Sequence, residues 1–484
     1  MENKSLKKNA AYGFIRSFMN LAFPVITFPY ASRILLPENI GKVNFANSIV
    51  DYFLMLAALG ISTYATREAT KLKQDKHKLN QFAREIMALT LCSTIFSITL
   101  LFIAVFVLPR ISEYRVLIII ISSKLLFNTM DFSWLFVAEE DQKYITIKSI
   151  IFQIISLFFL FVFVHKPEDY IVYAIMGIIS SVGSNIYNIV YTRKYINLFE
   201  KTEVHPLHHL KSVFIFFGNN FAIKLYSMID TTMVGFIIGN AAVGYYTAAN
   251  KVSSMVSNLI KSSLSTLMPR GTSYSDSNKQ EQYENLITKC AGATSFFAFP
   301  AAVGLAILSK PVITIFCGEK YLPAQRSMQI MSLLIILYAM NSMVNNLIIV
   351  PQHKERILLI SQIAACITDI IFNAILIPTK GVWGASFATF IAQCVMFAIR
   401  LAYVRKWFFK KAIILPIIQV AIITSIMSLC VYFAYNFLEV KNISLAITTL
   451  LSIIVGAVSY TFFSLLLRNK TALQILQILK GKLA

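Results

Sequence analysis

Apolar stretches long enough to cross a lipid bilayer recur along nearly the whole chain, from Asn9 to Leu467, with only short polar breaks between them. A spanning helix needs about 20 such residues. The hydrocarbon core offers no water to the backbone, so only helices and closed barrels satisfy every N–H and C=O there. A barrel strand would alternate apolar and polar residues over about 10 positions, and runs such as VLIIII at 116–121 and ITTLLSIIV at 447–455 do not alternate. The expected fold is therefore an all-α polytopic membrane protein. Composition agrees, with 57% hydrophobic and 14% charged residues and a mean hydropathy of +0.67. A water-soluble fold is excluded, and no segment remains for a soluble catalytic domain.

Breaks at charge clusters, Pro and Gly divide the chain into about 14 spans. They lie near 9–35, 41–65, 85–108, 115–138, 145–165, 170–192, 212–239, 242–269, 286–308, 327–350, 357–377, 382–404, 411–437 and 443–467. The net charge of +21 would suggest nucleic acid on a soluble protein. Here it reads as the Lys/Arg excess of cytoplasmic loops, heaviest at 67–84 and 400–411, so no nucleic-acid partner is expected. That bias places both termini in the cytoplasm. The basic N-terminus runs into a long span without a small-residue cleavage site and reads as a retained first helix. The six cysteines are scattered, with no CxxC pair, and the HPLHH cluster containing His205, His208 and His209 reads as solvated rather than metal-binding. Neither a metal nor a cofactor is expected.

A weak internal repeat organises the spans. GKVNFAN at 41–47 and GYYTAAN at 244–250 share G-x-x-x-x-A-N at the start of spans 2 and 8, and YTRKY at 191–195 and YVRKW at 403–407 close spans 6 and 12. The offsets, about 203 and 212 residues, both pair span n with span n+6, which implies two six-span lobes related by an axis along the membrane normal. The resulting division is an N-lobe at 1–193, a cytoplasmic linker at 194–211, a C-lobe at 212–408, spans 13 and 14 at 409–467 and a basic amphipathic tail at 468–484. In the tail, Leu473, Leu476, Leu479 and Leu483 share one face, as in an interfacial helix or a frayed end.

Charged groups inside spans are costly and face a lumen or a partner. In span 8, Lys251, Ser254, Asn258 and Lys261 share one helical face, and in span 2 Asn44, Asn47 and Asp51 follow the same rhythm. Span 1 carries Arg16, Asn20 and Thr27, with Arg33 near its outer end; span 7 carries Asn220, Lys224, Ser227 and Thr231 on one face and Asp230 off it. Span 10 offers Tyr338, Asn341 and Asn345, span 4 offers Lys124, Asn128 and Asp131, and span 11 holds Asp369. Lys124 and Asp131 form either a structural pair or part of the function, Asp369 reads as a helix-packing hydrogen bond or a neutral acid rather than a relay, and Lys261 can snorkel. Arg16, Lys224 and Lys251 lie too deep to snorkel and outnumber nearby acids, so the interior should be electropositive and the cargo anionic. Pro24 and Pro29 bend span 1, as a flexing element or a static kink. Neither a Walker A motif nor a channel filter occurs, which leaves an ion gradient, the membrane potential or the cargo gradient as the energy source.

Several ordered motifs then carry a resemblance. They are Arg33-x-Leu-x-Pro37-Glu38-x-x-Gly41, Leu59-Gly60-Ile61-x-x-Tyr64-Ala65-x-Arg67-Glu68 and Trp134-Leu135-Phe136-x-x-Glu139. Leu225-Tyr226-x-x-x-Asp230-x-x-Met233-x-Gly235, Gly244-x-Tyr246-x-x-Ala249-x-Lys251, Met268-Pro269-Arg270 and Asn373-x-x-Leu376-Ile377-Pro378-x-x-Gly381-x-x-Gly384-Ala385 follow. Together they resemble the Wzx-type O-antigen and capsular polysaccharide flippases, in the polysaccharide transport branch of the MOP exporter superfamily. The resemblance implies two six-helix bundles around a central cavity lined mainly by spans 1, 2, 7 and 8. It implies translocation of undecaprenyl-diphosphate-linked oligosaccharide repeat units from the cytoplasmic to the outer leaflet by alternating access with cation counterflow. On that view the protein sits in the bacterial inner membrane, is not an enzyme, and works alongside a polymerase and chain-length machinery. Arg16, Arg33, Lys224, Lys251, Asn47, Asn258, Asn341 and Asn345 would bind cargo, Asp230 and Asp51 would couple to a proton or sodium ion, and spans 13 and 14 would guide the lipid. A drug or metabolite exporter of the same superfamily and a membrane-embedded polymerase or transferase are the competing readings. A cationic lumen disfavours the first and short outer loops disfavour the second.

Overall fold

A computed structural model describes residues 6–198, 200, 203–265, 267–276, 280–408, 410–441 and 443–483. The side chains of Asn220, Arg270, Leu479 and Leu483 lie outside that description. The helices are α1 (Leu6–Ala58), α2 (Ile61–Leu72), α3 (Lys76–Val107), α4 (Pro109–Ser112), α5 (Arg115–Thr129), α6 (Ser133–Ala138), α7 (Gln142–Phe163), α8 (Tyr170–Val182), α9 (Ile186–Thr192) and α10 (Leu210–Ile237). They continue as α11 (Asn240–Ser265), α12 (Met268–Asp276), α13 (Gln280–Ile307), α14 (Ser309–Cys317), α15 (Gln325–Val344), α16 (Glu355–Lys380), α17 (Val382–Phe408), α18 (Lys411–Val440), α19 (Leu445–Leu466) and α20 (Lys470–Leu483). No strand occurs among the described residues. Among the described residues, ten helical segments are long and apolar enough to cross a membrane, and the first of them, Ala11–Leu72, carries two of the expected spans. Expected spans 4, 7 and 8 are helical too, as α5, α10 and α11, but are not among those ten.

Local chemistry sets several boundaries. Within α1, Leu36 takes φ 63 and ψ 168, directly before Pro37, and this non-helical residue separates spans 1 and 2. Proline disfavours helical geometry in the residue before it, and of the three prolines in α1 only Pro37 follows a non-helical residue. Asp75 and Asp141 cap α3 and α7, their carboxylates accepting from the N–H groups of Lys78 at 3.1 Å and Tyr144 at 3.3 Å. Asn469 caps α20 through the N–H groups of Thr471 and Ala472 at 3.0 and 3.2 Å. Large apolar side chains such as Phe106, Val190 and Val440 stand well exposed, which suits a surface facing lipid rather than water.

By packing, the chain divides into two compact units, residues 1–244 and 245–484. The repeat-based lobe division at 194–211 is a different cut: α10, the expected seventh span, packs on α1 and α2 in the first unit. In that unit α1 is central, contacting α3, α5, α7 and α8 as well. Phe82, Trp134 and Phe136 form part of a core under α2, α3 and α6. The second unit is built from α16 against α17, α13 against α15 and α18, and α18 against α19. There the Tyr283 hydroxyl donates to the Leu347 carbonyl at 2.7 Å, in the π-helical turn Asn345–Ile349 that follows α15.

The shared glycines of the repeat acquire a reason. A Cβ on Gly41 would fall 1.7 Å from the Asn240 carbonyl oxygen, and one on Gly244 would fall 2.1 Å from the Pro37 carbonyl oxygen. The two backbones therefore meet at positions where only hydrogen fits. Asn240 joins the same contact, donating to Glu38 at 2.9 Å and accepting from the Tyr114 hydroxyl at 2.7 Å. Overpacking costs about 1–3 kcal/mol, so Gly41→Ala and Gly244→Ala are each expected to lower the melting temperature in detergent by about 5 °C. Gly304→Ala, with no heavy atom within 4 Å of the added carbon, should leave it unchanged.

Candidate functional site

Charged and amide side chains at bilayer depth fall into two kinds: those whose hydrogen bonds are spent inside a unit and those that stand open. The first kind is clearest at Arg400 on α17, which is buried. Its Nε donates to the Ser361 hydroxyl at 3.0 Å and its Nη1 to Asn341 Oδ1 at 3.3 Å, while the Asn341 amide donates to Gln393 at 3.1 Å. Asn341, a candidate cargo ligand, is thus buried in a structural network at 4% exposure. Lys148 on α7 behaves alike. Its ammonium donates to Asn188 Oδ1 at 2.7 Å and lies 5.7 and 5.6 Å from the ring centres of Phe136 and Tyr144. Lys148 and Arg400 both lie within assigned spans, and the same charge-in-span criterion that singled out Lys251 would have found them.

The second kind comprises Lys224 on α10 and Lys251 and Asn258 on α11, all exposed along their helices. Among the described residues neither lysine has an ion pair. Arg16, on the first half of α1, is half-buried and also has none there; one turn later Asn20 accepts from Gln153 of α7 at 2.8 Å. Arg33 is exposed near the end of that first half. Asn345 is half-buried at the π-helical turn, its amide donating to Asn346 at 3.4 Å. An ammonium exposed at the middle of a span is tolerable only where water or a polar group reaches it. These positions therefore mark polar surface on helices whose other faces are apolar.

The acids occupy different settings. Asp230 is buried on α10, beside Thr232, whose hydroxyl lies 3.1 and 3.2 Å from the hydroxyls of Ser48 and Tyr52 on α1. Asp51 lies 3.7 Å from the Lys124 ammonium, which also donates to Asn47 Oδ1. The Lys124–Asp131 pairing considered from sequence does not form. Asp131 instead accepts the Ser133 N–H at 3.0 Å, closing the turn between α5 and α6, because α5 ends at Thr129 and carries Asp131 off its face. Asp369 is fully buried on α16, in keeping with a helix-packing position.

Outside the spans, the histidine loop is more ordered than its composition suggested. His209 is buried, with Nε2 2.8 Å from Glu85 Oε2 and Nδ1 2.7 Å from the Tyr64 hydroxyl, while the His205 N–H donates to Glu85 Oε1 at 3.0 Å. Asp141 accepts from the hydroxyls of Tyr191 at 2.7 Å and Tyr195 at 2.6 Å. Burial, reinforced by that bond to the carboxylate, pushes the Tyr195 hydroxyl well above its ordinary pKa. These contacts tie the end of α9 to the start of α7, and the start of α10 to α2 and α3. Among the described residues no cluster of His, Cys, Asp or Glu has the makings of a metal site.

The second unit also holds an apolar cavity of about 490 Å³ between α11, α13, α14, α18 and α19, lined by Phe296, Pro300, Leu308, Met427, Val431 and Tyr460 among others. It falls within the range of about 300–1,000 Å³ typical of ligand pockets. Gly456 helps to shape it: a Cβ there would come 2.8 Å from Val431.

The profile of the polysaccharide biosynthesis protein family matches residues 6–275, more than half of the sequence. The chain belongs to that family. It is 24% identical over 407 residues to a putative O-antigen transporter of Escherichia coli K12, covering 83% of this chain and 97% of that protein. It is 22% identical over 182 residues to the probable low-salt glycan biosynthesis flippase Agl15 of Haloferax volcanii, 38% of each. Among solved structures, the lipid II flippase MurJ in an inward closed conformation superimposes with a TM-score of 0.75 at 17% identity, covering 95% of this chain and 98% of MurJ. A multidrug resistance MATE family transporter of the MOP superfamily gives 0.59 at 13% identity, with 81% and 94% covered. The relatives support a Wzx-type flippase of the MOP superfamily, and the structures share the fold. The family member described here is a multi-pass helical membrane protein of polysaccharide transport.

The two kinds of cation should separate in stability measurements. Arg400→Ala removes the donor to the buried Asn341 Oδ1, at about 1–3 kcal/mol for a buried group left unbonded, together with the bond to Ser361, and is expected to lower the melting temperature markedly. Lys224→Ala and Lys251→Ala remove exposed groups and should stay within about 0.5 kcal/mol of the parent protein.

Proposed function

We propose that this protein is a flippase that moves undecaprenyl-diphosphate-linked oligosaccharide repeat units from the cytoplasmic to the outer leaflet of the bacterial inner membrane, with both termini in the cytoplasm. The observations that carry the reading are two open ammonium groups, Lys224 on α10 in the first unit and Lys251 on α11 in the second, each exposed within a span expected from the sequence. Their chemistry suits a diphosphate, which forms strong charge-assisted hydrogen bonds with ammonium and guanidinium groups. Arg16, Arg33 and Asn47 add polar groups in the first unit and Asn258 and Asn345 in the second, with amides fitted to sugar hydroxyls. Asn341 contributes by holding Arg400 in place. The relatives, named as an O-antigen transporter and a glycan flippase, support lipid-linked sugar as the cargo.

The lipid needs a different environment from the sugar. The cavity formed with α18 and α19 offers purely hydrocarbon and aromatic walls along much of its lining, and in this reading it takes part of the prenyl chain. That assigns spans 13 and 14 the task of guiding the lipid. Movement proceeds by alternating access, with Asp230 and Asp51 as the carboxylates that couple it to a proton or sodium ion. A polymerase and chain-length machinery would receive the product outside.

Three outcomes test the reading. Deleting the protein should strand lipid-linked repeat units on the cytoplasmic leaflet, and normal amounts of assembled units outside would reject it. Lys251→Glu and Arg16→Glu should each reduce glycan export by about tenfold or more, equivalent to about 1.4 kcal/mol or more, while insertion is preserved; wild-type export in both would remove the cationic-interior argument. With Asp230→Asn, export should no longer respond to imposed proton or sodium gradients. An unchanged response would remove Asp230 from the coupling step.

A further inference from the structure

Lys124 differs from every cation considered above. It projects from the middle of α5, with its side chain 13% exposed, and lies 3.7 Å from Asp51 Oδ1 on the second half of α1. Its direct hydrogen bond goes to a neutral acceptor, Asn47 Oδ1, one turn before Asp51. An ammonium in direct contact with a carboxylate sits about 2.7–2.9 Å away. Asp51 is therefore a counter-ion at the edge of contact, not the group that fixes the lysine in place. Its own side chain is 39% exposed, so one side of the carboxylate stands open. A carboxylate open at that depth faces water or a polar ligand and not lipid tails.

The comparison with Lys148 sharpens this. That ammonium is enclosed, bonded to Asn188 at 2.7 Å and covered by two aromatic rings. Nothing could reach it without unpacking α7 from α9. Lys124 has one neutral anchor and one loosely held anion, an arrangement in which the anion can be exchanged while the ammonium keeps its position. Asn44, Asn47 and Asp51 lie along one face of α1, so a ligand arriving there meets amide donors and acceptors next to the exchangeable charge.

We propose that Lys124 is an anion-binding residue of the transport site and that Asp51 is its resident counter-anion, displaced by the diphosphate of a prenyl-linked cargo. This rests on the flippase reading, because it takes the cargo to be a phosphorylated lipid. The charges balance throughout. The entering phosphate supplies the negative charge that the ammonium loses, and Asp51 keeps its own charge on its open, hydrated side, where a coupling cation has access. Resident pairing also confers selectivity: a neutral prenyl lipid brings nothing that can replace the carboxylate, so Lys124 stays occupied and the site rejects it.

The test is titration calorimetry on the full-length protein in detergent micelles, with farnesyl diphosphate as the probe and farnesol as the uncharged control. Lys124→Gln should weaken farnesyl diphosphate binding about tenfold and leave farnesol unchanged, and Lys124→Arg should restore most of the loss. Asp51→Asn should tighten farnesyl diphosphate binding about tenfold, since the competing anion is gone. The double variant Asp51→Asn/Lys124→Gln should bind as Lys124→Gln alone. An unchanged melting temperature confirms that each variant is folded. Absence of saturable farnesyl diphosphate binding in the parent protein overturns the flippase reading and this inference with it. Parent binding that is indifferent to both substitutions overturns this inference alone, and so does weaker binding by Asp51→Asn, which would make the carboxylate a structural support for Lys124 rather than its competitor.

Discussion

A charge at bilayer depth has three outcomes: it is hydrated, it is bonded to a partner, or the helix carrying it is not inserted. That constraint orders the interior of this protein. Arg400 and Lys148 take the second route, Arg400 bonding to Ser361 and Asn341 and Lys148 to Asn188. Lys224 and Lys251 take the first. Lys124 stands between them, anchored to Asn47 and loosely paired with Asp51. A neutral anchor such as Asn188 at Lys148 satisfies hydrogen-bonding demand without cancelling the charge.

Close backbone approach is the second organising element. Gly41 and Gly244 begin the matching segments of the internal repeat, and each admits the main chain of the other segment: Asn240 against Gly41, Pro37 against Gly244. In a membrane, helices gain little from burying apolar side chains against one another, because lipid tails are equally apolar; small residues that bring backbones together supply the contact instead. Reciprocal glycines at equivalent positions are what a duplicated unit would produce if both copies need the same intimacy. The break at Leu36, immediately before Pro37, gives α1 the bend that delivers this contact.

The contacts at the helix ends show a different economy of bonding. Asp141 caps α7 and also receives two tyrosine hydroxyls, and Glu85 receives a histidine ring and a backbone N–H. One carboxylate thus serves several elements, fixing the ends of α9 and α10 relative to α3 and α7. Such ties keep the helix ends in register while the membrane-facing surfaces remain simple hydrocarbon.

The sequence alone determined the fold class, because runs of apolar residues at bilayer length permit nothing but helices, and it determined the repeat, because GKVNFAN and GYYTAAN carry their glycines at matching places. It also located most of the charged positions, since a Lys or Arg within an apolar run is visible by contrast alone. Tertiary structure decided which of them are open. Asn341 and Lys251 look alike in the sequence, as polar residues on helical stripes, yet one is enclosed by Arg400 and Gln393 and the other is exposed. Periodicity says which residues share a face of a helix; it does not say what that face meets. The same limit explains Lys124, whose partner proved to be Asp51 on another helix rather than Asp131 two turns along its own chain. The pairing depends on the packing of α5 against α1, which no local pattern encodes.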